Sequence, residues 1–257
     1  MVVDNIDNKV AIVTGGNKGV GRGIVYSLLK AGVYVCICYN SSEDFAVETL
    51  AEANKIAENH AFLYRCDVSV RAEVQAMVAE TINRFGKIDM LVNNAALQPN
   101  LPVGNYDMET FKKLWNINIG GYFLCIQECL PYLKKSECAR VINIASIHAK
   151  RPTVFDVGYS MTKSAIKIFT REAAIELAKY KITVNYITLG ACRIEGKTGR
   201  FKWHAYTPEK ARAKSQFPLG RIVAPKDVGD LIVYLSGSES EIITGSGIRV
   251  DGGSILL

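Results

Sequence analysis

The stretch Val10-Ala-Ile-Val-Thr-Gly-Gly-Asn-Lys-Gly-Val-Gly21 decides how the rest of the chain is read. Val10–Val13 is a short apolar run with no polar alternation, as expected of a strand buried on both faces. Glycines at 15, 19 and 21 follow, and an amphipathic segment, Arg22–Ala31, comes next. Glycine allows a tight turn and close backbone approach by a ligand. The helix start behind it offers unpaired N–H groups to a pyrophosphate. At the first strand and first helix of a long chain, this loop predicts a dinucleotide site rather than a plain glycine-rich turn.

The same texture recurs outward from that loop. Further apolar runs lie at Tyr34–Cys38, Ala61–Tyr64, Ile88–Val92, Val141–Ile144, Thr183–Ile187 and Ile248–Val250. Amphipathic segments separate them, among them Ala46–Glu58, Ala72–Phe85 and Tyr159–Tyr180. Such alternation predicts an α/β fold: a Rossmann-type, doubly wound parallel sheet of about seven strands with helices on both faces. No repeat, low-complexity tract or Pro/Gly linker divides the chain, so residues 1–257 read as one domain. Ligands in this architecture sit at the carboxyl ends of the strands.

Composition narrows the class. Met1–Asn8 holds two aspartates and no apolar core, so no secretory segment is expected, and no apolar run is long enough to span a membrane. Seven cysteines lie scattered without a framework, which suggests reduced thiols and a cytoplasmic setting. Cys125 and Cys129 share a helix face, but two thiols make a poor zinc site, so no metal is expected and most cysteines read as core filling. The net charge of +6 is modest and no nucleic-acid module appears.

The chemistry gathers at Tyr159-Ser-Met-Thr-Lys163. Residues four apart share a helix face, which puts a phenol beside an ammonium. A nearby positive charge favours phenolate and brings the phenol toward proton transfer near neutral pH. The cofactor type is read at the second strand's end, Cys38-Tyr-Asn-Ser-Ser42. A site for NAD would place an acid there, yet no Asp or Glu occurs between Arg22 and Ser42. Lys18 can reach a 2′-phosphate as a point charge, with Asn40, Ser41 and Ser42 as neutral partners, so NADP(H) is expected over NAD(H).

Taken together these motifs resemble the short-chain dehydrogenase/reductase family over essentially the whole chain. Thr14-Gly15-xxx-Gly19-x-Gly21 is similar to its glycine motif, and a basic residue at Lys18 is typical of its NADP-dependent members. Asp67-Val68 resembles the adenine-contacting pair, and Asn93-Asn94-Ala95 the segment beside the adenosine ribose. Asn118 lies in Trp115-Asn-Ile-Asn-Ile at the place of the family's helix asparagine. Ser146 precedes Tyr159-x-x-x-Lys163 by the usual thirteen residues. Gly252-Gly253 resembles the terminal Asp-Gly-Gly. Three positions depart from the pattern: Ala96, Leu189 before Gly190, and Ile194.

The resemblance implies a catalytic set of Asn118, Ser146, Tyr159 and Lys163. Ser146 would hold the substrate oxygen, Tyr159 would be the general acid or base, and Lys163 would lower the tyrosine pKa and hold the nicotinamide ribose. Asn118 would hold, through its backbone, a water that relays protons. The cofactor would contact Gly15, Asn17, Lys18, Gly19, Val20, Gly21, Asn40, Ser41, Asp67, Val68, Asn94, Ala95 and Gly190, besides Tyr159 and Lys163. It also implies a homotetramer built on the helices carrying Asn118 and Tyr159. Tyr122, Phe123 and Tyr132 are expected in a core or subunit interface, and His148 as a pocket-wall or surface residue.

Substrates of the family are small alcohols and ketones. The run Ile144–Pro152 looks like that of bacterial glucose 1-dehydrogenases, while acyl-carrier 3-oxo reductases and hydroxysteroid dehydrogenases share the framework. A lid is expected around residues 190–215. Its Arg193–Lys214 stretch carries seven basic residues against two acidic ones, so +5 of the chain's +6 lies there, with Phe201, Trp203 and Tyr206 among them. That mixture suits a substrate with an apolar body and an anionic end. The competing reading is a protein that senses NADP(H) on this fold without turnover.

Overall fold

Every residue of Val10–Thr14 is buried, which is why its sequence runs apolar without alternation. The chain is described here from a computed structural model covering residues 6–152, 157–193 and 217–256. The strands are β1 (Val10–Thr14), β2 (Tyr34–Tyr39), β3 (Ala61–Arg65), β4 (Met90–Asn93), β5 (Arg140–Ser146), β6 (Thr183–Leu189) and β7 (Gly247–Val250). They form one seven-stranded sheet in the order β3-β2-β1-β4-β5-β6-β7, every neighbour parallel. The order reverses between β1 and β4, which opens a crevice at their carboxyl ends.

β4 begins two residues later than its apolar run suggests. Asp89 interrupts it: its carboxylate accepts from Val10 N (2.9 Å) and from the Ser136 hydroxyl (2.6 Å), pinning the strand entrance with polar contacts.

The helices are α1 (Gly19–Lys30), α2 (Glu43–Ile56), α3 (Arg71–Phe85), α4 (Met108–Trp115), α5 (Gly121–Leu133), α6 (Val157–Leu177) and α7 (Pro225–Ser236). α1 and α2 start three residues earlier than the expected segments, and α6 ends before Tyr180 in a 3₁₀ turn, Ala178–Tyr180. α1, α2 and α7 bury Ile24, Leu28, Ala53, Val228 and Ile232 against one face of the sheet. α3, α5 and α6 bury Met77, Ile126 and Leu177 against the other. α1 and α7 approach closely because a Cβ on Gly23 would lie 2.3 Å from Pro225 Cβ, and one on Gly229 would lie 2.4 Å from Ser27 Oγ.

Five of the seven free cysteines (Cys36, Cys38, Cys66, Cys125 and Cys129) are buried in the second of these layers. Burial pushes the Cys36 thiol up to about 12, so it packs as a small hydrophobe. Cys125 and Cys129 lie in that core, and the described residues contain no cluster able to hold a metal ion. No helix among the described residues is long and apolar enough to cross a membrane. The expected lid lies outside the described residues from Ile194 onward; Arg193, at its start, donates its N–H to Val223 O (2.8 Å).

Candidate active site

The glycine loop joins β1 to α1. Gly15 and Gly19 have φ of 62° and 55°, where a side chain would be strained. A Cβ on Gly21 would lie 2.0 Å from Gly15 O, so the turn closes only around glycine. Lys18 precedes α1 without a side-chain cap, and the first turn holds no acid. Its N–H groups are therefore left for an anion. Thr14 Oγ1 accepts from the N–H groups of Asn94 (2.9 Å) and Ala95 (3.1 Å). Asn94 Nδ2 donates to Thr14 O and Gly15 O at 3.0 Å each. The ends of β1 and β4 are thus tied across the crevice.

Not every expected contact residue presents its side chain to that crevice. The Asn17 amide donates to Ser41 O (3.0 Å) and Ser42 O (3.1 Å), so it braces the loop against the end of β2. Val20 packs on the core. Val68 is buried, and its Cγ2 lies where a Cβ on Gly121 would come within 2.6 Å, so what it can offer a ligand is backbone. Gly190 follows β6 directly, with its N–H on Val250 O (2.9 Å).

Lys18 Nζ donates to Ser42 Oγ (3.1 Å) at the end of β2, and Asn40 Nδ2 donates to Asp67 Oδ2 (3.1 Å). The sequence reading missed Arg65. Its Nε donates to Asn40 O (3.3 Å), so a second cation flanks the Asn40–Ser42 turn. The pairing of Tyr39 with Arg65 puts it there, and only the β2–β3 register could have revealed it. Two cations, no acid within the Asn40–Ser42 turn and an uncapped helix start make a donor set that fits a dinucleotide carrying an extra phosphate, while the neighbouring Asp67 carboxylate is taken up by Asn40 and Ser69.

The second half of the site surrounds the end of β5. Ser146 is buried, and its Oγ accepts from His148 N (3.2 Å), leaving the hydroxyl proton to donate. The His148 ring stands edge-on to the Tyr159 ring at 5.8 Å, which makes it a wall of the site. Tyr159 and Lys163 lie one turn apart on α6, with Lys163 Nζ 5.5 Å from the Tyr159 ring centroid. Lys163 is 1% exposed and donates to Ile144 O (2.7 Å) and Tyr122 OH (3.4 Å). Burial draws its pKa down from 10.5 to about 7. Tyr122 itself is core, Tyr132 packs on the core, and Phe123 is 48% exposed.

Asn118 lies in a π-helical turn, Asn116–Gly120, where the ladder between α4 and α5 widens by one residue. Its Oδ1 accepts from Leu97 N (2.8 Å), and its Nδ2 donates to Leu97 O (3.0 Å) and Thr162 Oγ1 (3.0 Å). Thr162 Oγ1 donates to Tyr159 O (2.8 Å), so the asparagine side chain reaches the backbone of Tyr159 through one hydroxyl. Both the π turn and Thr162 escaped the sequence reading.

Residues 15–254 match the family model described as enoyl-(acyl carrier protein) reductase. The hydroxynaphthalene reductase-like proteins Arp2 of Metarhizium guizhouense and Metarhizium robertsii are each 29% identical, over 98% of this chain and 96% of theirs. A solved short-chain dehydrogenase/reductase from Serratia marcescens superposes with a TM-score of 0.86 at 26% identity, covering 96% of this chain and 98% of that one.

Proposed function

The chain belongs to the short-chain dehydrogenase/reductase family and is an oxidoreductase acting on CH–OH or C=O groups, and on that footing we propose that it interconverts a secondary alcohol and a ketone with NADP(H). One observation supports this most: Ser146, Tyr159 and Lys163 converge at the carboxyl end of β5, in the same sheet whose β1 carries the glycine loop. The nicotinamide, when bound, supplies or takes the hydride.

The chain's own residues do the rest. The Ser146 hydroxyl donates to the substrate oxygen and stabilises charge as it develops. Tyr159 gives its phenolic proton to that oxygen in reduction and takes it back in oxidation. Lys163 favours the phenolate by its charge and holds the ribose hydroxyls. Asn118 fixes the start of the Tyr159 turn through Thr162, and its backbone holds a relay water. Lys18 and Arg65 take the 2′-phosphate; Gly15, Gly19, Gly21 and the α1 N–H groups take the pyrophosphate. Phe123, Met161, Ile168 and Ile175 are exposed apolar residues on α5 and α6, which supports a homotetramer formed on these helices.

A screen of NADPH and NADH oxidation tests the reading, run against ketosteroids, sugars, keto acids, 3-oxoacyl thioesters and aromatic hydroxyketones. A 2-enoyl thioester is included because the family model's description names an enoyl reductase. The expected result is reduction of a ketone with higher kcat/KM for NADPH. Reduction of the enoyl thioester alone, or equal use of NADH, contradicts it.

A further inference from the structure

The roles above leave Tyr122 without a task, yet its hydroxyl is buried at the centre of the site. Tyr122 is 1% exposed, and its ring packs with Ala145, Ile166 and Tyr186. Phenylalanine would fill that space without burying a hydroxyl, which is unfavourable unless the group is bonded. The hydroxyl donates to Ile144 O (3.2 Å) and accepts from Lys163 Nζ (3.4 Å), while Nζ donates to the same carbonyl (2.7 Å). The three atoms close a triangle. The same ammonium lies between the two tyrosines, 5.4 Å from the Tyr122 ring centroid and 5.5 Å from the Tyr159 centroid.

The geometry points to Tyr122 as a positioning residue: its phenol and the Ile144 carbonyl together seat Lys163 Nζ between the two tyrosines. An ammonium has three protons. Two go to this seat, and one remains for the nicotinamide ribose or the Tyr159 side. Among the described residues the seat contains no carboxylate, so the charge is held by a carbonyl and a neutral phenol. Among the described residues, the titratable groups around it are Tyr159 on its own helix, Tyr122 from α5, Tyr186 from β6 packed on Tyr122 and, beyond Tyr159, His148. Tyr122 stays a neutral phenol, because burial, and then the neighbouring Tyr159, push its pKa up. It therefore does not compete with Tyr159 for the proton. The inference rests on the function proposed above, since it assigns how Lys163 is held for that chemistry.

Tyr122→Phe keeps the ring and removes only the hydroxyl. The first readout needs neither cofactor nor substrate: the ¹³Cε resonance of Lys163, identified by its loss in Lys163→Met, followed against pH in the cofactor-free protein. Losing an acceptor disfavours the charged amine, so the midpoint should fall by about one pH unit in Tyr122→Phe. The second readout is the pH profile of alcohol oxidation. With the charge beside Tyr159 weakened, the rising limb should move to higher pH. Ile166→Val disturbs the same packing without touching the triangle and should leave both midpoints at the wild-type value. Wild-type midpoints in Tyr122→Phe, or the same shifts in Ile166→Val, overturn the inference. A wild-type protein that turns over no alcohol or ketone would sink the functional reading instead, and the resonance would still decide the role of Tyr122.

Discussion

The two halves of the site are built from opposite materials. The half at β1 and α1 is backbone: glycines in left-handed conformations, uncapped N–H groups and carbonyls tied by Asn94. The half at β5 and α6 is side chain: a hydroxyl, a phenol and an ammonium, with Ser146 and Lys163 buried. Backbone geometry binds an anion without burying a charge. The chemical half must hold an amine in a medium that disfavours its charged form, and it does so at a cost in stability. Binding and chemistry should therefore fail differently when each half is altered.

The largest separation is expected at Lys163. Lys163→Met should lower turnover by about a hundredfold or more if, as proposed, its charge tunes the acid/base group. Yet it should raise the melting temperature of the cofactor-free protein, with Tyr122 still bonded to Ile144 O. The sign follows from linkage. The folded pKa, about 7, lies below the ordinary 10.5, so between these values the unfolded chain holds the extra proton. Stability from this group rises with pH across that window, and the penalty is full below it. The gap in melting temperature between variant and wild type should therefore narrow from pH 7 to pH 10. A gap that widens, or a variant melting below wild type at pH 7, breaks the contrast.

In the binding half the effects reverse. Gly21→Ala puts a Cβ 2.0 Å from Gly15 O. It should destabilise the protein by about 1–3 kcal/mol and weaken cofactor binding together. Calorimetric melting and a fluorescence titration with NADPH check this; normal values in both would mean that the loop opens freely. Lys18→Ala should be milder. Loss of a single exposed charge on the 2′-phosphate should reduce the preference for NADP(H) by about tenfold. Steady-state kinetics with both cofactors decides the point, and an unchanged ratio would assign the phosphate to Arg65 alone.

The contrast also explains what the sequence reveals. Buried parallel strands are near-continuous apolar runs, which made the central strands legible along the chain; the edge strands β3 and β7 are only partly buried and were read from short apolar runs. The glycine loop and the Tyr159/Lys163 pair were legible because turn and helix geometry tie them to short spacings. α7 was not among the segments read, and of α4 and α5 only a helix around Asn118 and the face shared by Cys125 and Cys129 were, without their bounds. A π turn at Asn116–Gly120 shifts the phase between α4 and α5, and Pro131 lies inside α5. The contacts of Tyr122 with Lys163, of Arg65 with Asn40 and of Asn118 with Thr162 join residues 41, 25 and 44 positions apart. No periodicity reports such pairs; they follow from the sheet register and from how helices cross it.

The central claim is that one hydroxyl carries the proton while a separate half of the site holds the cofactor. Tyr159→Phe tests it most directly, with turnover and NADPH affinity measured on the same preparation. Turnover should fall by about 10²–10⁴-fold, the range for a general acid or base, with the NADPH dissociation constant nearly unchanged. Retention of more than about a tenth of wild-type turnover, set against that same range, would contradict the account.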